Sequence, residues 1–163
     1  MERNVLSLLV ANHFGVLTRV TNLFGQRGFN IDSLAVGETE NPRFSRITIT
    51  THGDERVINQ IKLQLAKLEE VEKIVEVEPS SAVIREVVLI KAEPKKAQME
   101  AFEQAVSDFG GRLQIVEGDV YVIELTDTPD SINYFIEELQ DFHIREISRT
   151  GVVALELSRE TVY

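Results

Sequence analysis

Asn12-His13-Phe14-Gly15 packs an amide, an imidazole, an aromatic ring and a glycine into one short turn, between an apolar run and a helical pattern. Such a turn suits a catalytic loop, a ligand-binding loop or a plain helix start. Catalysis needs partners, and the sequence supplies none. His13, His52 and His143 are scattered, without the short His-to-His spacing of a metal-binding helix. No G-x-S-x-G elbow, P-loop or G-x-G-x-x-G is present. The absence of cysteine excludes thiol catalysis, disulfides and cysteine-metal sites, and fits a reducing compartment. Carboxylates such as Glu69-Glu70 and Glu137-Glu138 read as solvated helix faces. No catalytic residue and no metal ligand is expected.

Binding asks less of the turn. A helix starting near Gly15 leaves its first backbone N–H groups unpartnered and partially positive, which suits a carboxylate. Gly15 lacks a Cβ, so a ligand can approach the backbone closely. Asn12 offers an acceptor and donors, and Phe14, Val16 and Leu17 offer apolar walls. Together they suit a free amino acid with an aliphatic side chain. A second polar candidate lies in Gly28-Phe29-Asn30-Ile31-Asp32. Gly28 is explained by capping, whereas Asn30 and Asp32 are poor strand residues. Asp32 can accept from an ammonium group, or both are ordinary turn residues. The helix between these segments, about 13 residues, is roughly 20 Å long. One chain therefore cannot bring both ends to one small ligand, but a two-fold dimer can.

The elements that must hold these residues follow from periodicity. Residues 4–11 read as a buried strand. Val16, Val20, Leu23 and Phe24 mark a helix face over 15–27, closed by Gly28. Residues 31–37 and 44–51 read as strands around the turn at 39–43. Asp54 is the expected N-cap of a helix with Val57, Ile58, Ile61, Leu65 and Leu68 inward. Residues 71–78 alternate as a strand. After Pro79-Ser80-Ser81-Ala82 the order repeats: a strand over 83–92, a helix over 95–109, a hairpin from Leu113–Val116 to Val120–Thr126, a helix opened by Thr128-Pro129, and a strand over 142–148 that 151–155 extends. The expected fold is α+β: two consecutive ferredoxin-like βαββαβ domains, antiparallel sheets with helices on one face. The expected division is 1–78, a linker at 79–82, and 83–163, with one larger α+β domain as the alternative. The first strand of each half is apolar on both faces, so a second subunit or the partner half should cover it.

The 163 residues carry 17 basic and 27 acidic side chains, a net charge of −10, and 43% hydrophobic residues. That is enough for real cores. The acidic balance argues against nucleic acid and anionic membranes as partners. Neither a signal peptide nor a membrane-spanning stretch is recognisable, and a cytoplasmic location is expected.

Several runs carry a resemblance: Gly15-Val16-Leu17-Thr18-Arg19-Val20, Phe24-Gly25-Gln26-Arg27-Gly28-Phe29-Asn30-Ile31, Ser45-Arg46-Ile47-Thr48, Arg85-Glu86-Val87-Val88-Leu89-Ile90-Lys91 and Arg149-Thr150-Gly151-Val152-Val153-Ala154. The first half resembles an ACT domain, an amino-acid-sensing module. Nearly the whole chain resembles the small, regulatory subunits of acetohydroxyacid synthase (acetolactate synthase). The resemblance implies a subunit without catalytic activity of its own. It implies that the chain binds and activates a large subunit, which holds thiamine diphosphate, magnesium and FAD, and confers feedback inhibition by valine in branched-chain amino-acid biosynthesis. It also implies a homodimer through ACT domains, with L-valine between Asn12, Gly15, Val16 and Leu17 of one chain and Asn30 and Ile31 of the other. With His13, Phe14 and Asp32 beside them, these form the expected ligand site. His13 and Phe14 depart from the family, which usually has smaller or acidic residues there, and Leu155–Glu160 departs from its arginine-glycine ending. Two other readings remain: a free-standing amino-acid sensor, and a small phosphate or acyl-phosphate hydrolase. Arg19 argues against the hydrolase, because it lies inside the helix and not in a glycine-rich anion loop.

Overall fold

Alternation in the strands and 3.6-residue periodicity in the helices build two α+β units in the computed structural model, which describes residues 3–158. In the first unit, β1 (Arg3–Ala11), β2 (Ser33–Glu38), β3 (Phe44–His52) and β4 (Val71–Val77) form an antiparallel sheet of order β2-β3-β1-β4. Leu6 faces Ile49 and Leu8 faces Ile47 across the β1–β3 ladder, so the apolar residues of both strands share one face. α1 (Val16–Arg27) buries Val16, Val20 and Phe24 on that face, and α2 (Glu55–Leu65) buries Ile58, Ile61 and Leu65. Fully burying an aliphatic or aromatic side chain contributes about 1.5–3 kcal/mol, so these residues fix the helices on the sheet. Gly28 closes α1 at φ 71°, with the Phe29 N–H donating to the Phe24 carbonyl. The Asp54 carboxylate caps α2 by accepting from the Val57 N–H.

The second unit repeats the plan. β5 (Ala82–Ala92), β6 (Arg112–Glu117), β7 (Val120–Asp127) and β8 (Ile144–Arg149) run in the order β6-β7-β5-β8. α3 (Met99–Asp108) and α4 (Pro129–Glu138) cover one face through Phe102, Val106, Ile132 and Phe135. The antiparallel βαββαβ expectation holds in both units.

Four details differ from the sequence expectation. β2 begins at Ser33 instead of Ile31, because Ile31 packs against the first core while Asn30 and Asp32 are tied into a turn. The helix expected over 95–109 opens as a 3-10 turn at Lys96–Gln98 and becomes α-helical only from Met99. Phe142 likewise belongs to a 3-10 turn, and β8 starts at Ile144.

The fourth concerns the chain's end. β9 (Val153–Glu156) pairs with β5 as the fifth strand of the second sheet, so the segment does extend that sheet, while compact unit boundaries fall at Val83/Ile84 and Gly151/Val152 and group the chain from Val152 onward with the first unit. The 79–82 break is a 3-10 turn at Pro79–Ser81 leading straight into β5. Residues 1–2 and 159–163 of the expected divisions, including the Arg159-Glu160 part of the unusual ending, lie outside the described residues.

That reassignment bears on the second face of the first sheet. Val5, Ser7, Leu9, Thr48 and Thr50 point away from the helices and are nonetheless buried. The Val152–Leu155 segment lies beside this face. The Val152 N–H reaches the Ser33 hydroxyl at 3.5 Å, and Val152 and Ala154 are buried. A groove of about 400 Å³ runs between β9 and Ala35, Gly37, Arg46 and Thr48.

Candidate functional site

The Asn12–Gly15 turn is held by backbone contacts. The Asn12 N–H donates to the Arg43 carbonyl at 2.7 Å, and the Asn12 side-chain amide donates to the Pro42 carbonyl at 2.9 Å. This spends the Asn12 backbone donor and one of its side-chain donors, on an exposed residue. Gly15 is the N-cap of α1 at φ 89°, ψ −13°, a left-handed conformation that favours glycine. No side chain caps the helix. The first regular helical bond is donated by the Arg19 N–H to the Gly15 carbonyl at 3.0 Å. Before it, the Val16 N–H donates to the His13 carbonyl at 3.5 Å, and the Leu17 and Thr18 N–H groups follow at the helix start, where a carboxylate is favoured.

Around those amides the side chains divide. Phe14 is fully exposed and Leu17 is 41% exposed, so both are free to wall a ligand or a partner. Val16 turns into the core at 4% exposure and its N–H donates to the His13 carbonyl at 3.5 Å, so it does not supply the expected apolar wall. His13 is exposed, with Nδ1 3.3 Å from the Phe14 carbonyl oxygen. Arg19 pairs with Glu70. A guanidinium tied to a carboxylate at the turn's flank is poorly disposed to bind phosphate.

The second candidate group lies at the other end of the sheet. The Asn30 side-chain amide donates to Asp32 Oδ1 at 2.7 Å, and Asp32 Oδ2 lies 2.5 Å from His52 Nδ1. The Thr51 hydroxyl donates to the Asn30 carbonyl at 2.6 Å, and the Asp32 N–H donates to the Thr50 carbonyl at 2.9 Å. Ile31 packs inward, so only its backbone is available. The ordinary-turn reading therefore accounts for the local role of Asn30 and Asp32, while leaving the Asn30 carboxamide oxygen open. Sequence reasoning missed His52, Thr51 and Pro42 as partners. Each meets its partner across 20 to 30 residues of chain, and no local pattern signals such pairs.

The ends are far apart. Ala11 pairs with Phe44 at one end of the β1–β3 ladder and Arg3 with His52 at the other. At about 3.4 Å per strand residue the nine-residue β3 separates them by about 27 Å. The structure thus brings Asn12, His13, Phe14, Gly15 and Leu17 together, and separately Asn30 and Asp32. Within one chain it does not join the two groups.

A further polar cluster marks the second unit. Glu86 is buried and takes a two-pronged bond from Arg149, at 2.9 Å from Nε and 2.6 Å from Nη2. Arg149 Nη1 also donates to the Asn133 side-chain oxygen at 2.8 Å. Glu86 lies opposite Asp127 in the β5–β7 ladder. The Asp127 carboxyl is held below its ordinary value, chiefly by the Ser131 hydroxyl that donates to it at 2.6 Å. Burial opposes this, and the Thr128 N–H and the Arg85 charge reinforce it. These contacts are spent within the unit. Among the described residues no group of three or more His, Asp or Glu side chains could hold a metal ion, and no helix is long and apolar enough to cross a membrane.

This architecture has relatives along its whole length. Residues 6–73 match the model of the AHAS small subunit-like ACT domain, and residues 85–158 match that of the small subunit of acetolactate synthase. The chain is 38% identical over 162 residues to a probable acetolactate synthase small subunit of Methanothermobacter thermautotrophicus, covering 99% of this chain and 96% of that one. It is 40% identical over 154 residues to the small subunit of acetolactate synthase isozyme 3 of Salmonella typhimurium, covering 94% of each. The crystal structure of the acetolactate synthase small subunit from Thermotoga maritima superposes with a TM-score of 0.86 at 39% identity, covering 96% of this chain and 98% of that one. With both halves matched in order and two antiparallel α+β units in place, the chain belongs to the acetolactate synthase small-subunit family.

Proposed function

We propose that this protein is a non-catalytic regulatory subunit that binds an acetolactate synthase large subunit, raises its activity and makes it sensitive to valine. Thiamine diphosphate, magnesium and FAD are then the large subunit's cofactors, and this chain holds none. One observation supports the proposal: the uncapped start of α1 with the Asn12–Gly15 turn, suited to a carboxylate, and the Asn30 turn, suited to an ammonium group, lie at opposite ends of one sheet. The α1 amides and Gly15 receive the carboxylate, and the turn at Asn30 receives the ammonium group. Leu17 and Phe14 offer apolar contact to the side chain.

Two copies complete the site. β2 is an edge strand of the order β2-β3-β1-β4. Its start lies beside Thr50 and its end beside Ser45, next to the Asn12 turn. Antiparallel pairing of two β2 edges about a two-fold axis lays the Asn12 end of one sheet beside the Asn30 end of the other. Valine held there touches both chains, so it favours the arrangement of the dimer that binds it better. A coupling of about 1–3 kcal/mol between valine and the large subunit is the usual scale.

The test is a pull-down with the large subunit, followed by acetolactate formation with and without valine. Co-purification, activation and inhibition by valine support the proposal. Valine binding without capture of the large subunit points to a free-standing sensor instead.

A further inference from the structure

His52 closes β3 beside the Asn30 turn, and its contacts make a short relay. A carboxylate only accepts hydrogen bonds, so His52 Nδ1 carries the hydrogen directed at Asp32 Oδ2, 2.5 Å away. The second oxygen, Oδ1, accepts from Asn30 Nδ2 at 2.7 Å. With that N–H drawn to Asp32, the carboxamide cannot flip without losing its partner. Its oxygen becomes the acceptor facing away from the turn. The backbone beneath is already fixed, since Thr51 holds the Asn30 carbonyl and Thr50 holds the Asp32 N–H. The relay therefore has one thing left to determine, the orientation of the Asn30 side chain. Each Asp32 oxygen already accepts from a protein donor, which makes the Asn30 carboxamide oxygen the less committed acceptor for the ammonium group.

We propose that His52 is a positioning residue for amino-acid recognition: it holds Asp32, which turns the Asn30 carboxamide oxygen toward the ligand's ammonium group. This rests on the reading of Asn30 as part of an amino-acid site. The pair is partly exposed, with side chains 44% and 28% accessible. Exposed ion pairs contribute little to stability, so the relay serves orientation more than folding.

The experiment uses the full chain as wild type, His52→Phe and His52→Gln. Glutamine can still donate to Asp32, and phenylalanine cannot. In the ligand-free protein, the Asn30 side-chain amide signals in a 15N–1H spectrum should show one hydrogen-bonded proton in wild type and His52→Gln. They should move toward free-asparagine positions in His52→Phe. Calorimetry with L-valine should show binding about three- to tenfold weaker in His52→Phe, the loss of roughly one hydrogen bond. The glutamine variant should rescue it, and thermal midpoints should stay alike. If His52→Phe does not fold, Asp32→Ala removes both links without adding a ring.

Unchanged Asn30 signals in His52→Phe overturn the proposal. So does valine affinity equal to wild type in His52→Phe while Gly15→Asp abolishes it. Equal losses of affinity and stability in the phenylalanine and glutamine variants overturn it too, because they indicate a structural role. If wild type binds no valine yet the Asn30 signals respond to His52→Phe, the ligand reading fails and the positioning role stands.

Discussion

Gly15 is where backbone conformation and proposed ligand chemistry meet. At φ 89° a side chain is strained, yet a Cβ there meets nothing within 4 Å, so conformation and not crowding sets the cost. Gly15→Ala should destabilise the fold by about 1–2 kcal/mol in urea unfolding. Gly15→Asp should fold, since aspartate tolerates this conformation better, but its carboxylate would occupy the anion position at the helix amides. Calorimetry should then find no valine binding. At this scale the sequence disclosed the turn but not its wiring. The types at Asn12, Gly15 and Asn30 announced polar and close-approach roles. Val16 reads as an apolar wall from sequence but packs into the core, because a first-turn residue lies near the boundary between the core face and the exposed face, and only the packing shows which side it takes. The sequence leaves Asp32 between an ammonium acceptor and an ordinary turn residue, because its partner His52 is 20 residues away.

Elements were more legible, because their signals are local. The repeated βαββαβ order, the Gly28 and Asp54 caps and the Thr128-Pro129 helix start all follow from short patterns that the structure reproduces. The Asn30–Asp32 turn and the destination of β9 depend on distant contacts. Four apolar residues in a row cannot state that a strand pairing with β5 also packs beside the first sheet. The start of α4 also sets a pH response. The Asp127 carboxyl is lowered from 3.8 in the folded chain. Its stabilisation is therefore fully present above the ordinary value and is lost as pH falls through the lowered one. Ser131→Ala removes the main cause, so the stability lost between about pH 6 and about pH 3 should shrink in urea titrations. The Glu86–Arg149 clip between β5 and β8 should respond asymmetrically. Arg149→Ala leaves a buried carboxylate without its cation and should cost about 3 kcal/mol. Glu86→Gln leaves a half-exposed arginine that can still donate, and should cost only about 1 kcal/mol. Equal losses in urea unfolding would contradict that reading.

For the whole molecule, the separation of the two ligand-binding ends requires two chains for one proposed site. Mixed dimers test this directly. Gly15→Asp breaks the helix end and Asn30→Ala weakens the strand end, so the first variant alone should bind no valine and the second should bind it at least about tenfold more weakly. In a dimer with one chain of each kind, one site combines both lesions, while the other takes its helix end and its strand end from intact segments. Titration calorimetry of differently tagged mixed dimers, purified through both tags, should recover one valine per dimer at wild-type affinity. Absence of binding in the mixed dimers, with both parents folded and dimeric, would contradict a site shared between chains.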